Sequence, residues 1–341
     1  MTKVVSTGFG DSPRAGTVPS GTVPSKPIAN RRRVGFIGAG RVGCALAWHC
    51  RRLGYPIAGV TDLKPSASRV AYGLLKQRYE RLSPCAVAAA SDVLFLTVPD
   101  AHIGPVFESV REALEVLGTV PVRGQYPREV LGTVPIRGQS PRIVVHCSGA
   151  FGPEVFAGAQ EQGLGTLALH PVQSFSSHSQ AIRSLPGSFF AADGSASGLR
   201  FGRQLVKQLH GSCVIVPGKD RALYHAMCVF ASNFLSVLFD AAEEIAGELG
   251  VDSERAARML EPLARTVLDN IAEQGAGPSL TGPVERGDAL TVAAHLVALK
   301  QRVPKLVPLY RMMSGRLVEM ARRRGMDRAV LRKLKQVLKE G

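Results

Sequence analysis

Apolar positions in this chain follow two regimes. Up to about residue 216 they form short continuous runs separated by amphipathic stretches; beyond it they lengthen into helical periodicity. The short runs predict strands at 33–37, 56–61, 91–99, 142–149, 165–170, 188–191 and 213–216, with helices at 41–53, 66–78, 102–116 and 196–210 between them. A short segment, 84–90, leads into the third strand. Val93-Leu94-Phe95-Leu96 has no polar alternation, as strands covered on both faces require. The pattern predicts an α/β fold with a doubly wound sheet over 31–217. Asp220 to Leu249 then predicts one long helix stopped by Gly250. Helices at 254–273, 288–301, 304–324 and 327–339 complete an all-helical second domain over 218–341.

The first strand runs into Gly38-Ala39-Gly40-Arg41-Val42-Gly43, a G-x-G-x-x-G at a strand-to-helix turn. The first glycine permits the tight turn, the second lets backbone approach a pyrophosphate, and the third lets helix pack on strand. Free N–H groups at the helix start then favour an anion. Asp62 lies 19 residues after Gly43, where a carboxylate takes a ribose 2′-hydroxyl and so suits NAD. Lys64, Ser66 and Arg69 follow and suit a 2′-phosphate, so NAD and NADP stay open.

Composition narrows the class. The 341 residues are 45% hydrophobic and 20% charged, as in a soluble globular protein. The start of the chain has no apolar core of signal-peptide length and no apolar run reaches about 18 residues, which predicts a cytoplasmic protein without a membrane partner. Six scattered cysteines form no C-x-x-C, so neither a disulfide frame nor a metal site is expected. The net charge of +15 would suit nucleic acid, but residues 1–33, 121–142 and 311–341 carry +5, +3 and +7 and leave the body neutral. With no reader motif, nucleic acid is not expected as a partner. Residues 1–30 contain GTVPS twice and read as a disordered tail. LGTVPVRGQYPREV (117–130) is followed by LGTVPIRGQSPRIV, identical at 11 of 14 positions; the 117–142 repeat reads as an inserted surface loop.

The remaining polar positions cluster at strand ends. Val98-Pro99-Asp100 and His146-Cys147-Ser148-Gly149 close strands where a ligand of an open α/β sheet lies. Ser148 can bond substrate or nicotinamide, and a nucleophilic Cys147 is disfavoured because it lacks an evident base. His170 precedes Pro171 and Gln173 at the next strand end, placed to polarise or protonate a carbonyl. Lys219, Arg221, His225, Ser232 and Asn233 mark one polar string on an apolar helix, which serves either a site or an internal network. Thr281, Arg286 and Asp288 lie in the loop LTGPVERGD; Arg286 suits a carboxylate, and Asp288 suits either a site or a helix cap. The long apolar helices suit a homodimer interface or one larger bundle.

GFIGAGRVG, LTVPDAHI, VVHCSGAFG, ALHPVQSF, ALYHAMCVFASN and LTGPVERGD, in this order, resemble the family that joins a Rossmann-like domain to a C-terminal domain of unknown function 2520. That family is similar to ketopantoate reductase, pyrroline-5-carboxylate reductase and the F420-dependent NADP reductases. The resemblance implies a Rossmann-like domain followed by a helical domain of the 6-phosphogluconate-dehydrogenase C-terminal type. It implies an NAD(P)-dependent reductase of a carbonyl or imine in a small carboxylate substrate, ketopantoate-like in some relatives. Gly38, Gly40, Arg41, Val42, Gly43, Asp62, Lys64, Val98, Pro99 and Asp100 would then hold the cofactor. His170, Lys219, His225 and Asn233 would surround the chemistry, with Ser148, Gln173, Arg221, Ser232, Thr281, Arg286 and Asp288 at the substrate. Three departures stand out: the GTVP repeat is extra, the family's Ser-Arg after strand two is Asp62-Leu63, and its lysine before Ala-Leu-Tyr-His is Arg221. Arginine keeps its proton, so Lys219 or His225 becomes the expected donor. A non-catalytic dinucleotide sensor or scaffold is the alternative.

Overall fold

A computed structural model describes residues 31–115 and 142–340. The expected tail over 1–30 and the repeat insertion, except its last residue Arg142, lie outside the described residues. The chain divides into two compact units, one ending at Met227 and the other starting at Cys228.

The first unit is built on seven strands: β1 (Val34–Ile37), β2 (Ile57–Thr61), β3 (Val93–Leu96), β4 (Ile143–His146), β5 (Gly165–Pro171), β6 (Phe189–Gly194) and β7 (Ser212–Ile215). They stand in the order β2-β1-β3-β4-β5-β6-β7, all pairs parallel except β5 with β6. The chain reverses its winding between β1 and β3, which opens a crevice at their carboxyl ends. Alternate residues of each strand feed two cores. Phe36, Phe95, Val145 and Leu169 face α1 (Arg41–Arg52), α2 (Pro65–Leu74), α5 (His178–Ser184) and α6 (Ala196–Gln208). Ile37, Leu94, Leu96 and Val144 face α3 (Pro84–Ala89) and α4 (Ile103–Glu115). This two-sided cover explains the unbroken apolar runs, each buried side chain contributing about 1.5–3 kcal/mol.

The second unit holds α8 (Asn233–Glu248), α9 (Ser253–Gln274), α10 (Ala289–Arg302), α11 (Val307–Arg323) and α12 (Arg328–Glu340). Val292, Leu296, Val318, Leu331 and Leu334 form its core. Asp252 and Asp288 cap α9 and α10 by accepting Arg255 N and Thr291 N.

Four local expectations are corrected. The single helix over 220–249 is interrupted: α7 (Arg221–Ala231) ends, and Ser232 takes φ −128° and ψ −70° before α8 begins. The Ser232 hydroxyl donates to Cys228 O at 2.7 Å, the back-bonding by which serine bends helices. The helix at 66–78 stops at Leu74, because Lys76 adopts φ 51° and its amide turns back to Gly73 O. No glycine marks that stop in the sequence. Helix α5 was not anticipated; Ser177 caps it by accepting from Gln180 N. Strand six extends to Gly194 and runs against its neighbour β5.

Candidate active site

The glycine loop is held by contacts that tolerate no side chain. Gly38 has φ +105°, and a Cβ on it would lie 2.5 Å from Thr97 C and O. A Cβ on Gly43 would lie 2.3 Å from Gly38 O and 2.4 Å from Thr97 Oγ1. Gly40 differs: a Cβ there meets nothing within 4 Å, so its hydrogen serves space outside the protein. Gly40 is the N-cap of α1 and offers no capping side chain, leaving the first helical amides to a ligand. Thr97, which sequence reasoning passed over, donates its hydroxyl to Gly38 O at 2.7 Å. Asp62 closes the loop from β2: Oδ2 accepts Ala39 N at 2.8 Å and Oδ1 accepts Lys64 N at 2.9 Å. Its carboxylate shapes the loop directly. Lys64 is exposed, Val42 is half-buried, and the exposed Arg41 reaches Phe175 O at 2.5 Å.

Beside it, the loops after β3 and β4 are tied together. Ser148 Oγ donates to Asp100 Oδ2 at 2.8 Å and accepts Ala150 N and Phe151 N. Its proton is committed to Asp100, so Ser148 organises the turn. Val98 and Pro99 lead into that turn, Val98 half-buried and Pro99 exposed. His146, fully buried, has Nε2 3.0 Å from Gly152 O and accepts Ser148 N at Nδ1. That pairing requires the neutral Nε2–H ring, and burial pushes its pKa down to about 4. Burial pushes the Cys147 thiol up to about 12, which keeps it protonated and unreactive.

Helix α7 completes the cluster. His170 Nδ1 lies 2.7 Å from the Tyr224 hydroxyl, and the His170 and His225 rings stand 6.2 Å apart at 90°. Gly149 makes room for both: a Cβ there would lie 2.7 Å from His225 Cδ2 and 3.0 Å from His170 Nε2. Burial first, then the neighbouring His225, Arg221 and His146, pushes His170 down to about 4. An ordinary titration near neutrality is therefore lost. Tyr224, hidden among apolar helix residues, was not anticipated. Arg221 is 0% exposed and sits among the strands. It donates to Val216 O, Ala168 O and Ala191 O at 3.1–3.3 Å, while Nη1 has no partner among the described residues. It serves strand carbonyls, which corrects its expected place at the substrate.

The other expected residues are more scattered. Lys219 is exposed, in the turn before α7, and its side chain makes no hydrogen bond or ion pair among the described residues. Gln173 turns into its own loop, accepting Ser174 N at 3.0 Å. In the helical unit, Ser232 lies 3.0 Å from Asn233 Oδ1 at the helix break. Asp288 accepts both Thr291 N and Thr291 Oγ1, so its carboxylate is the helix cap. Thr281 is exposed. Arg286, also exposed, borders a cavity of about 350 Å³ with Arg324, Met326 and Val330.

Residues 21–171 match the Rossmann-like domain family, and residues 188–317 match the domain of unknown function DUF2520. Comparison with curated proteins gives no match. Among solved structures, a Thermotoga maritima protein superposes with a TM-score of 0.61 at 23% identity, over 85% of this chain and 99% of its own. A candidate NADP oxidoreductase of Bacteroides fragilis gives 0.63 at 18% identity, over 84% and 97%. The pyrroline carboxylate reductase of Plasmodium falciparum, with NADP bound, gives 0.52 at 12% identity, over 90% and 98%. At these identities the likeness establishes the fold.

Proposed function

We propose that this chain, a Rossmann-like domain joined to a DUF2520 domain, is an NAD(P)-dependent reductase of the carbonyl or imine group of a small carboxylate substrate. The observation that carries the reading is the glycine loop: Gly38 and Gly43 are sterically obligatory, and Gly40 alone opens outward beside the unpartnered amides of α1. A pyrophosphate fits that place and that charge. The cofactor would supply hydride chemistry; the protein orients the reactants and manages the proton. The solved relatives named as NADP oxidoreductase and pyrroline carboxylate reductase favour the same chemistry.

Within the first unit, Asp100 and Ser148 fix the loops that would flank the nicotinamide, and His170 and His225 stand together over Gly149. His170 is the group we place nearest the reacting carbon. Lys219 is the solvent-side alternative donor. The Arg286 side chain makes no hydrogen bond or ion pair among the described residues, which leaves its guanidinium available to a carboxylate. The exposed apolar residues of α8 and α9, among them Val237, Leu238, Leu263 and Leu268, suit burial against a second copy.

Calorimetric titration with NADH and NADPH tests the first half, and nucleotide oxidation with ketopantoate, other 2-keto acids and cyclic imines tests the second. Binding with turnover is expected. No binding of either nucleotide would end the reductase reading; binding without any turnover would favour the sensor.

A further inference from the structure

The His170–Tyr224 hydrogen bond can run in two directions, and their chemistry selects one. A phenol donates far more strongly than a neutral imidazole N–H, and an imidazole lone pair accepts more strongly than a phenolic oxygen. Over 2.7 Å the shared proton therefore belongs to Tyr224, and Nδ1 accepts it. A neutral imidazole carries one N–H, which must then sit on Nε2. The Nε2–Cε1 edge of the ring packs beside Gly149, where an ideal Cβ would lie 3.0 Å from Nε2 and 3.1 Å from Cε1, so only glycine admits the ring there.

We infer that Tyr224 is a positioning residue that fixes His170 as the Nε2–H tautomer, so that the ring edge beside Gly149 carries the proton delivered to the substrate. Only the substrate side of this inference rests on the reductase reading. The groups acting on His170 are Tyr224, His225 and Arg221 from α7 and His146 from β4; Glu154 and Asp193 act in turn on Arg221. Burial and these neighbours oppose an imidazolium, so the ring donates as a neutral group. Reduction leaves an electron pair on the substrate oxygen or nitrogen. The Nε2–H bond breaks and a bond from that atom to hydrogen forms. Nδ1 takes the Tyr224 proton as Nε2 releases its own; the Nδ1 proton then returns to the phenolate while Nε2 takes a proton from solvent, so one proton is consumed per turnover. The Arg221 guanidinium, 5.9 Å from the Tyr224 ring centre, favours the transient negative charge.

The test compares full-length protein labelled with nitrogen-15 histidine with its Tyr224→Phe variant by long-range proton–nitrogen spectra. His170→Asn assigns the signals. The expected wild-type ring is the Nε2–H tautomer, without titration from about pH 8 to 5. Tyr224→Phe should yield mixed tautomers while the melting temperature holds. An Nδ1–H ring in the wild type, or an unchanged ring in Tyr224→Phe, overturns the inference. This readout needs neither nucleotide nor substrate, so the reductase reading can fail without deciding it. With NADPH and a turned-over 2-keto acid, Tyr224→Phe should lose roughly 100-fold in kcat with KM for NADPH unchanged. Equal kcat would remove the relay.

Discussion

Ser148 donates to Asp100 at 2.8 Å, and this bond joins the carboxyl end of β4 to the loop that follows β3. The same oxygen accepts two amides, Ala150 N and Phe151 N. Ser148→Ala therefore strips three polar groups of their shared partner at a part-buried turn. A loss of about 1–3 kcal/mol is expected, or roughly 2–4 °C of melting temperature per kcal/mol. Thermal unfolding without nucleotide reads the effect, and an unchanged melting curve would mean that the turn stands without the hydroxyl.

The glycines of the loop should separate folding from binding. In Gly43→Ala the new methyl would sit 2.3 Å from a backbone oxygen, so both stability and nucleotide affinity should fall. In Gly40→Ala it meets no protein atom within 4 Å. The melting temperature should hold, while affinity for NADPH drops about tenfold or more, equivalent to about 1.4 kcal/mol. Unaltered affinity in Gly40→Ala would move the pyrophosphate elsewhere.

Acid should destabilise the first unit early. His146 and His170 are held down to about 4 in the fold, against 6.5 when free. Between those values the unfolded chain takes up protons that the fold refuses. The stabilisation is therefore complete above pH 6.5 and is lost as pH falls toward 4, by up to about 1.4 kcal/mol per pH unit for each histidine. Buried His49 is shifted the same way by desolvation. Urea unfolding at pH 7 and pH 5 measures the slope, and His170→Asn should flatten it; equal stability at both values would contradict these shifts.

The apolar surface of the helical unit predicts association. Phe230 and Phe234 stack edge to face at 4.8 Å while remaining 72% and 44% exposed. Phe230→Glu with Phe234→Glu should convert a dimer to monomer in sedimentation velocity, with the helical signal in circular dichroism preserved. A wild type that sediments as a monomer at micromolar concentration would leave that surface without a self-partner.

The legible parts of this chain are those where backbone geometry dictates residue type. Gly38 and Gly43 are forced by contacts under 3 Å, so their spacing announces the loop. Val93 to Leu96 are buried on both faces, so their continuity announces a central strand. What stayed hidden depends on long-range pairing. Helical periodicity placed Arg221 on a polar face, but it cannot tell a cleft from the carbonyl ends of neighbouring strands. Tyr224 reads as one more apolar helix residue until His170, 54 positions earlier, comes within 2.7 Å. Thr97 ends a strand in the sequence and becomes a prop for the glycine turn only across the β1–β3 pairing.

The reversal at β6 decides how α7 reaches the carboxyl end of β5. Because β6 and β7 descend against β5, the chain leaves the sheet beside Asp193, whose carboxylate receives Gly218 N at 2.7 Å. The helix that follows must then climb, passing Ala168 and Ala191 at Arg221 and arriving at His170 with Tyr224. Had the last two strands ascended with the rest, the polypeptide would have departed at the upper rim and that helix would point away from the crevice. Two downward strands thus act as a return ramp, delivering an aromatic hydroxyl to a histidine that the nucleotide fold alone would leave unaccompanied.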